Sequence, residues 1–113
     1  MEKETIKQIN MKLNSIGITD DVFKLKTLVN ELIDLVRMLG KQTNDVKLKQ
    51  YCIQSTRALT HTRDKEVSYA DEDYRRTRKK NAAKVRINEY HKTLNRAVSH
   101  INDDVNMVVN YYL

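Results

Sequence analysis

The near absence of helix-breaking residues is the feature that most restricts how this chain can fold. Proline does not occur, and glycine occurs only at Gly17 and Gly40. Average usage would give about five prolines and eight glycines in a chain of this length. All-β folds need turn residues roughly every 8 to 12 positions, and α/β folds need glycine-marked turns between strands and helices. Both classes are therefore excluded, and the sequence predicts an all-α protein.

The first helix is predicted over residues 3–16. Its apolar stripe follows the spacing of three and four that is typical of a helix, and consists of Ile6, Ile9, Leu13 and Ile16. Gly17 comes directly after the stripe, in the position of a left-handed C-cap. We therefore expect the helix to end there.

The second helix is predicted over residues 20–39, with Thr19 or Asp20 as its N-cap and Gly40 at its end. Its main stripe consists of Val22, Leu25, Leu28, Val29, Leu32, Val36 and Leu39. The stripe is widened to nearly half the circumference by Phe23, Ile33, Leu35 and Met38. A helix with so wide an apolar face is expected to be central and to touch two or three neighbours.

The third helix is predicted over residues 44–63, with Thr43 or Asn44 as its N-cap, and it carries the weakest apolar face in the chain. That face consists of Leu48, Tyr51, Cys52, Ser55, Ala58, Leu59 and Thr62. No large apolar residue follows until Val67, so we expect the helix to fray near Asp64. Ser68 and Asp71 then have the spacing of a capping box, which would restart a helix at about Tyr69.

The last helix is predicted over residues 69–112 and contains the most regular apolar pattern. Spacings of four and three alternate along a seam of Ile87, His91, Leu94, Val98, Ile101, Val105, Val108 and Tyr112. A continuous helix of this length would measure about 66 Å, twice the second helix, so we expect it to break near Asn81 or to project. The chain is thus predicted to be one domain over residues 1–113, an antiparallel bundle of four main helices. The length of the seam also predicts a homodimer formed through it.

Positive charge is concentrated in one segment. Residues 1–40 hold six basic and six acidic side chains, so the whole net charge of +6 lies after Gly40. Seven bases occur within twelve residues and without an acid: Arg75, Arg76, Arg78, Lys79, Lys80, Lys84 and Arg86. On a continuous helix they would cover two adjoining faces, which is too polar for a core. Either this segment is a solvated face paired with acids elsewhere, or it binds a polyanion or an acidic partner.

The basic segment and the seam after it resemble the basic region and zipper of bZIP proteins, which contact DNA from a forked helical dimer. Two features depart from that family's pattern. Asn81 directly precedes Ala82 and Ala83 instead of standing three residues before the alanine pair, and the zipper positions are not all leucine. We therefore do not predict a bZIP mode of binding.

Candidate catalytic and metal-binding residues do not form a recognisable constellation. His100 has Asp103 and Asp104 at helical spacing, but a zinc site needs three or four ligands and no further His or Cys stands at a matching position. Local charge pairing is the expected role of His100. Cys52, within an apolar run, is expected to be a buried hydrophobic residue. We expect no enzymatic activity, no metal and no cofactor.

Three functions remain, in order of preference. The first is a small, non-catalytic helical module that docks to a protein partner, and the second is nucleic-acid binding through residues 75–86. The third is a bundle like the bacteriocin immunity proteins, which are also small, cationic and helical. Since the chain has no signal-peptide core and no apolar run of membrane-spanning length, we expect a cytoplasmic location. Abundant Asn, Lys, Ile and Tyr suggest an AT-rich bacterial or phage genome.

Overall fold

The computed structural model describes residues 2–78 and 84–111, and these form an all-α antiparallel bundle of four main helices. The bundle is about 55 Å long and 20 Å across. Its elements are α1 (Glu2–Ile18), α2 (Val22–Gln42), α3 (Val46–Thr62), a π-helical turn (Arg63–Val67), α4 (Ser68–Thr77), α5 (Lys84–Asp104) and α6 (Asn106–Tyr111). The first two main helices are α1 and α2. The third runs from α3 through the π-turn into α4, and the fourth comprises α5 and α6. The predicted fold class is confirmed.

The third and fourth main helices run antiparallel along their length. Near the middle of the bundle the Thr62 hydroxyl donates to Oδ2 of Asp104 at 2.5 Å. Further along, the ring of Tyr74 lies 5.3 Å from that of Tyr90. Between these two contacts the residue number rises from 62 to 74 on the third main helix and falls from 104 to 90 on the fourth. The two helices are therefore antiparallel.

The core is organised around α2, as its wide apolar face predicts. Its buried side chains are Val22, Leu25, Val29, Leu32, Ile33, Leu35, Val36 and Leu39. Leu28 is only partly buried, and Phe23 and Met38, at the margins of the stripe, are exposed. The stripes predicted for the first and third helices also face the core, with Ile9, Ile16, Leu48, Cys52 and Leu59 buried.

Both N-caps lie later than predicted, because the two interhelical turns share the pattern Thr-x-Asp. Oδ1 of Asp21 accepts from the Phe23 amide at 2.8 Å, and Oδ1 of Asp45 accepts from the Lys47 amide at 2.9 Å. In the second turn the Asp45 amide itself bonds to the Thr43 hydroxyl at 3.1 Å. The threonine thus shapes the turn, and the aspartate two residues later caps the helix.

Neither glycine ends its helix, so both predicted C-caps are wrong. α1 continues past Gly17 and α2 continues past Gly40, and neither glycine has a left-handed φ. α2 ends where Thr43 turns to extended backbone, with its amide bonded to the carbonyl of Leu39. Gly40 has a packing role instead, because a Cβ there would lie 3.1 Å from Cβ of Cys52.

The break expected near Asp64 does not occur. The π-turn carries the chain directly from α3 into α4, and Ser68 has helical φ and ψ of −64° and −39°, so no capping box forms. Arg63 reaches across to donate to Oδ1 of Asn30 at 3.1 Å, and Val67 is buried. These contacts hold a polar stretch in the helix that its own sequence does not favour.

The helix predicted over residues 69–112 is not continuous. α4 ends at Thr77 and α5 begins at Lys84, while the expected break point, Asn81, lies outside the described residues. A second interruption at Val105 separates α5 from α6.

Only the later part of the seam is core. Leu94, Ile101, Val105 and Val108 are buried, whereas Ile87 and His91 are exposed, and Tyr112 lies outside the described residues. The buried face of α5 starts at Tyr90 instead. Its hydroxyl accepts from the Val22 amide at 3.2 Å and donates to the carbonyl of Asp20 at 3.1 Å. This pair of hydrogen bonds ties α5 to the start of α2. Within the described residues, every helix is too short or too polar to traverse a lipid bilayer.

Candidate functional site

The predicted basic segment is divided between two antiparallel helices at one end of the bundle. We name its described bases the basic end, and all of them are exposed: Arg75, Arg76, Arg78, Lys84 and Arg86. Lys79 and Lys80 lie outside the described residues. These bases do not share the faces of one continuous helix, because Arg75, Arg76 and Arg78 belong to α4 or its end and Lys84 and Arg86 belong to α5. This hairpin arrangement also differs from the straight basic helix of a bZIP protein.

Two of these bases have acidic partners on α4. Arg75 lies 3.4 Å from Oδ1 of Asp71, and Arg76 lies 3.3 Å from Oδ1 of Asp73. Asp71 is held more closely by Lys26 of α2, at 2.5 Å, and this hydrogen bond lowers the pKa of the Asp71 carboxyl. Long, exposed pairs such as those of the two arginines contribute little to stability.

The remaining bases lack such partners. Lys84 and Arg86 form no ion pair with any described residue, and Arg78 lies over the ring of Tyr74 at 5.9 Å. The hypothesis of a solvated face paired with acids therefore accounts for the bases of α4 but not for those of α5. Lys84 and Arg86 have their full charge available for an external anion.

An aromatic cluster supports the basic end from beneath. The Phe23 ring of α2 meets the Tyr74 ring edge to face at 5.3 Å, and Tyr74 in turn lies 5.3 Å from Tyr90 of α5. The three rings connect α2, α4 and α5, so the bases above them are carried on a packed support.

Apolar side chains are exposed beside these bases. Every residue of 84–89 is exposed, and Val85 and Ile87, with 62% and 42% of their surface accessible, alternate with Lys84 and Arg86. Phe23 of α2 adds a further apolar surface, 47% exposed, at the same end. Sequence reasoning assigned Ile87 and Phe23 to the core and so missed their exposure. The start of α5 therefore offers both apolar and cationic groups to a partner.

The polar contacts around the π-turn do not form a second site. Nε2 of His100 lies 4.0 Å from Oε1 of Glu66 in the π-turn, and an electrostatic interaction also links His100 to the neighbouring Asp104, as the sequence suggested. Burial raises the pKa of the Asp104 carboxyl, although the hydrogen bond from Thr62 opposes that effect. Among residues 2–78 and 84–111, no three His, Cys, Asp or Glu side chains are grouped to hold a metal ion.

Cys52 is buried between α2 and α3, as predicted. Burial raises the pKa of its thiol to about 11. The thiol is therefore protonated at neutral pH and is a poor nucleophile.

Comparison of this chain with models of protein families, with characterised proteins and with solved structures finds no match. The basic end is one surface where unpaired charge and exposed apolar side chains coincide.

Proposed function

We propose that the protein is a small, cytosolic, non-catalytic binding module that docks to an acidic protein partner through the basic end. The observation that carries this proposal is the composition of the first turns of α5. There the exposed Val85 and Ile87 alternate with Lys84 and Arg86, which have no acidic partner among the described residues.

An acidic protein satisfies both kinds of group. Its carboxylates would pair with the bases and speed association by electrostatic steering, while burial of Val85 and Ile87 would contribute about 25 cal/mol for each Å² removed from water. Phosphate contacts would use the bases alone and leave the two apolar side chains in water. This difference favours a protein partner over nucleic acid.

The test is capture of partners from nuclease-treated lysate of the native cell, with variants that separate the two kinds of contact. Val85→Ser with Ile87→Ser should abolish capture of the specific partner, because the apolar anchor is lost. Met11→Ser is the matched control, since Met11 is equally exposed on α1. Capture that is unchanged in the double variant, or that disappears with nuclease, would contradict the proposal.

Nucleic-acid binding is the second candidate, and it is favoured by the density of bases, seven within residues 75–86. Wild type should then shift DNA or RNA in electrophoresis at about 50 mM salt. Replacing Arg75, Arg76, Arg78 and Lys79 with Gln should lower the slope of log K against log salt by up to about 3.6 for duplex DNA. Helicity should survive, because Gln is nearly as good a helix former. Absence of any shift by the wild type would eliminate this candidate.

Homodimerisation remains a prediction, but the fold changes which residues of the seam could form the dimer interface. Leu94, Ile101, Val105 and Val108 are buried inside the bundle, so among the described seam residues a second copy would meet the exposed start, Ile87 and His91. Sedimentation equilibrium of wild type and of the Val85→Ser, Ile87→Ser variant measures this. A 13.3 kDa species up to high micromolar concentration would contradict dimerisation.

A further inference from the structure

A second basic surface lies between α2 and α3, well away from the basic end. It is a groove of about 400 Å³ lined by Arg37, Gly40, Lys41, Lys49, Cys52, Ile53, Thr56 and Arg57. From Phe23 to Gly40 the distance along α2 is about 25 Å at 1.5 Å per residue. The two surfaces therefore cannot be parts of one small contact.

The floor of the groove is mainly apolar. Gly40 allows α3 to approach closely, and Cys52 closes the gap between the helices. Thr56 donates its hydroxyl to the carbonyl of Cys52 at 2.7 Å, so that hydroxyl is already satisfied within the helix. Ile53 stands at the edge with 55% of its surface exposed. A ligand in the groove would thus meet apolar surface at its centre.

Both rims of the groove are cationic. Arg37 and Lys41 stand one turn apart on α2, and Lys49 and Arg57 stand about two turns apart on α3. None of these four side chains forms an ion pair with an acid among the described residues, and no acid lines the groove. Single exposed cations are ordinary on a protein surface. Two unpaired cations on each side of an apolar floor are a pattern that complements a ligand.

We propose that this groove docks an acidic amphipathic helix of a partner protein. Such a helix would lay its apolar stripe on Ile53 and the floor, and the residues flanking the stripe would lie opposite the rims. Acidic side chains at both flanking positions would then pair with the cations of α2 and α3, as flanking charges do between the helices of a coiled coil. The inference is independent of the function proposed for the basic end.

Two other ligand classes fit less well. A fatty acid has one carboxylate and would use one rim, leaving the other unpaired. A single-stranded nucleic acid would need aromatic side chains on which its bases stack, and the groove lining has none. An acidic helix uses both rims and the floor together.

The experiment uses the full-length protein and two fluorescent probe peptides of about three helical turns. Both have leucines at i, i+3, i+4 and i+7, one with glutamate and the other with lysine at the flanking positions. The glutamate peptide should bind wild type in fluorescence anisotropy and the lysine peptide should not. Arg37→Glu with Arg57→Glu should weaken binding about tenfold or more, since attraction becomes repulsion at both rims.

A matched control reverses two charges elsewhere. Lys3→Glu with Lys7→Glu, at exposed positions of α1 outside both basic surfaces, should leave peptide affinity unchanged. Loss of binding in this control would show that affinity follows net charge and not the groove, and would overturn the proposal. Arg75→Glu with Arg78→Glu measures any binding at the basic end separately, and a larger loss there than in the Arg37→Glu, Arg57→Glu variant would also overturn it. No binding of the glutamate peptide, or equal binding of the lysine peptide, would also overturn it.

Ile53→Ser guards against a folding defect in the charge variant, because Ile53 is exposed and its replacement removes the apolar contact alone. It should weaken the glutamate peptide several-fold while circular dichroism stays unchanged. Retention of full affinity by this variant would contradict docking on the groove floor. Displacement of the peptide from wild type by duplex DNA, together with loss of DNA binding in the Arg37→Glu, Arg57→Glu variant, would reassign the groove to a polyanion.

Discussion

Two parts of one apolar seam have opposite positions in this bundle. Leu94, Ile101, Val105 and Val108 of the seam are buried and Val98 is partly buried, whereas Ile87 and His91, in the same alternation of four and three, face solvent. Tyr90 marks the boundary, since it is the first buried residue of α5. Periodicity thus identifies the face of a helix that is apolar, but the packing of neighbouring helices decides how much of that face is covered.

The largest expected effect tests this boundary directly. Leu94→Ala or Ile101→Ala should destabilise the protein by about 2 to 5 kcal/mol, because each removes a fully buried side chain and leaves a cavity. Ile87→Ala should cost less than about 0.5 kcal/mol, as expected for an exposed position. Chemical denaturation measures all three. A cost at Ile87 equal to that at Leu94 would mean that the start of the seam is covered in solution, most simply by a second copy.

The parts of the fold that the sequence predicts well are those where one apolar stripe dominates. The eight buried residues of α2 all lie within the predicted stripe or its margins. The exposed members of the predicted stripe, Phe23 and Met38, lie at its edges. There a difference of a few tens of degrees in angular position around the helix decides between core and solvent. Sequence position alone does not resolve that difference.

The helix breaks are harder to predict because they depend on tertiary contacts. The polar stretch after Leu59 is expected to fray, yet Arg63 is held by Asn30 of α2, 33 residues earlier in the chain. Conversely, α4 ends at Thr77 without a glycine or proline. There the Thr77 hydroxyl donates to the carbonyl of Tyr74 at 2.6 Å, and the Arg78 amide bonds three residues back, to Arg75, at 3.3 Å. These bonds tighten the last turn, and neither a breaker nor a capping pattern in the sequence marks them.

The candidate surfaces are predictable to different degrees. The bases of the basic end follow one another closely in the sequence, so the sequence identifies them as a set. It does not show that two antiparallel helices carry them. The α2–α3 groove combines Arg37 and Lys41 with Lys49 and Arg57, and the pairing of two helices is needed to bring these together. Arg37 lies within residues 1–40, where bases and acids are equal in number, so charge distribution along the sequence does not single it out.

Tyr90→Phe should give the next largest loss of stability, because the Tyr90 hydroxyl joins α5 to the start of α2 at the boundary of the buried seam. The variant leaves the buried Val22 amide without its acceptor, and we expect a loss of about 1 to 2 kcal/mol in thermal or chemical denaturation. Tyr69→Phe is the control, since Tyr69 is exposed and should change stability by less than about 0.5 kcal/mol. Equal effects of the two substitutions would show that the bond to α2 does not stabilise the fold.

Two aspartates extend the comparison to pH. Asp71, near the basic end, has a pKa lowered from the ordinary value of 3.8, mainly by the Lys26 hydrogen bond. Its contribution to stability is present above that ordinary value and is lost as pH falls through the lower, folded pKa. Asp71→Asn should therefore lower the free energy of unfolding by about 1 kcal/mol at neutral pH. This figure takes into account that solvent screens the partly exposed Lys26. The variant should also lose less stability than wild type on acidification below about pH 4.

Asp104, beside the buried seam, should behave in the opposite way. Burial raises its pKa above 3.8, so its contribution is present below that value and is lost as pH rises through the folded pKa. Asp104→Asn keeps an acceptor for the Thr62 hydroxyl and removes the partly buried charge, and should stabilise the protein at neutral pH. Urea titrations of both variants between about pH 3 and 7 measure the two slopes. Destabilisation by Asp104→Asn at pH 7 would show that nearby His61 and His100 compensate the charge more than burial penalises it.

The smallest expected effect concerns the two glycines. Gly17 lies in open space, whereas Gly40 is covered by α3. A Cβ at Gly17 would meet no neighbouring side chain or helix within 4 Å, whereas a Cβ at Gly40 would meet Cβ of Cys52 at 3.1 Å. Since both positions have ordinary helical backbone, Gly17→Ala should stabilise by about 0.5 kcal/mol through reduced freedom of the unfolded chain. Gly40→Ala makes the same entropic change but must move α3, so its gain should be smaller or reversed. A larger gain at Gly40 than at Gly17, measured in parallel denaturation curves, would show that α2 and α3 separate at no cost and that the floor of their groove is not tightly packed.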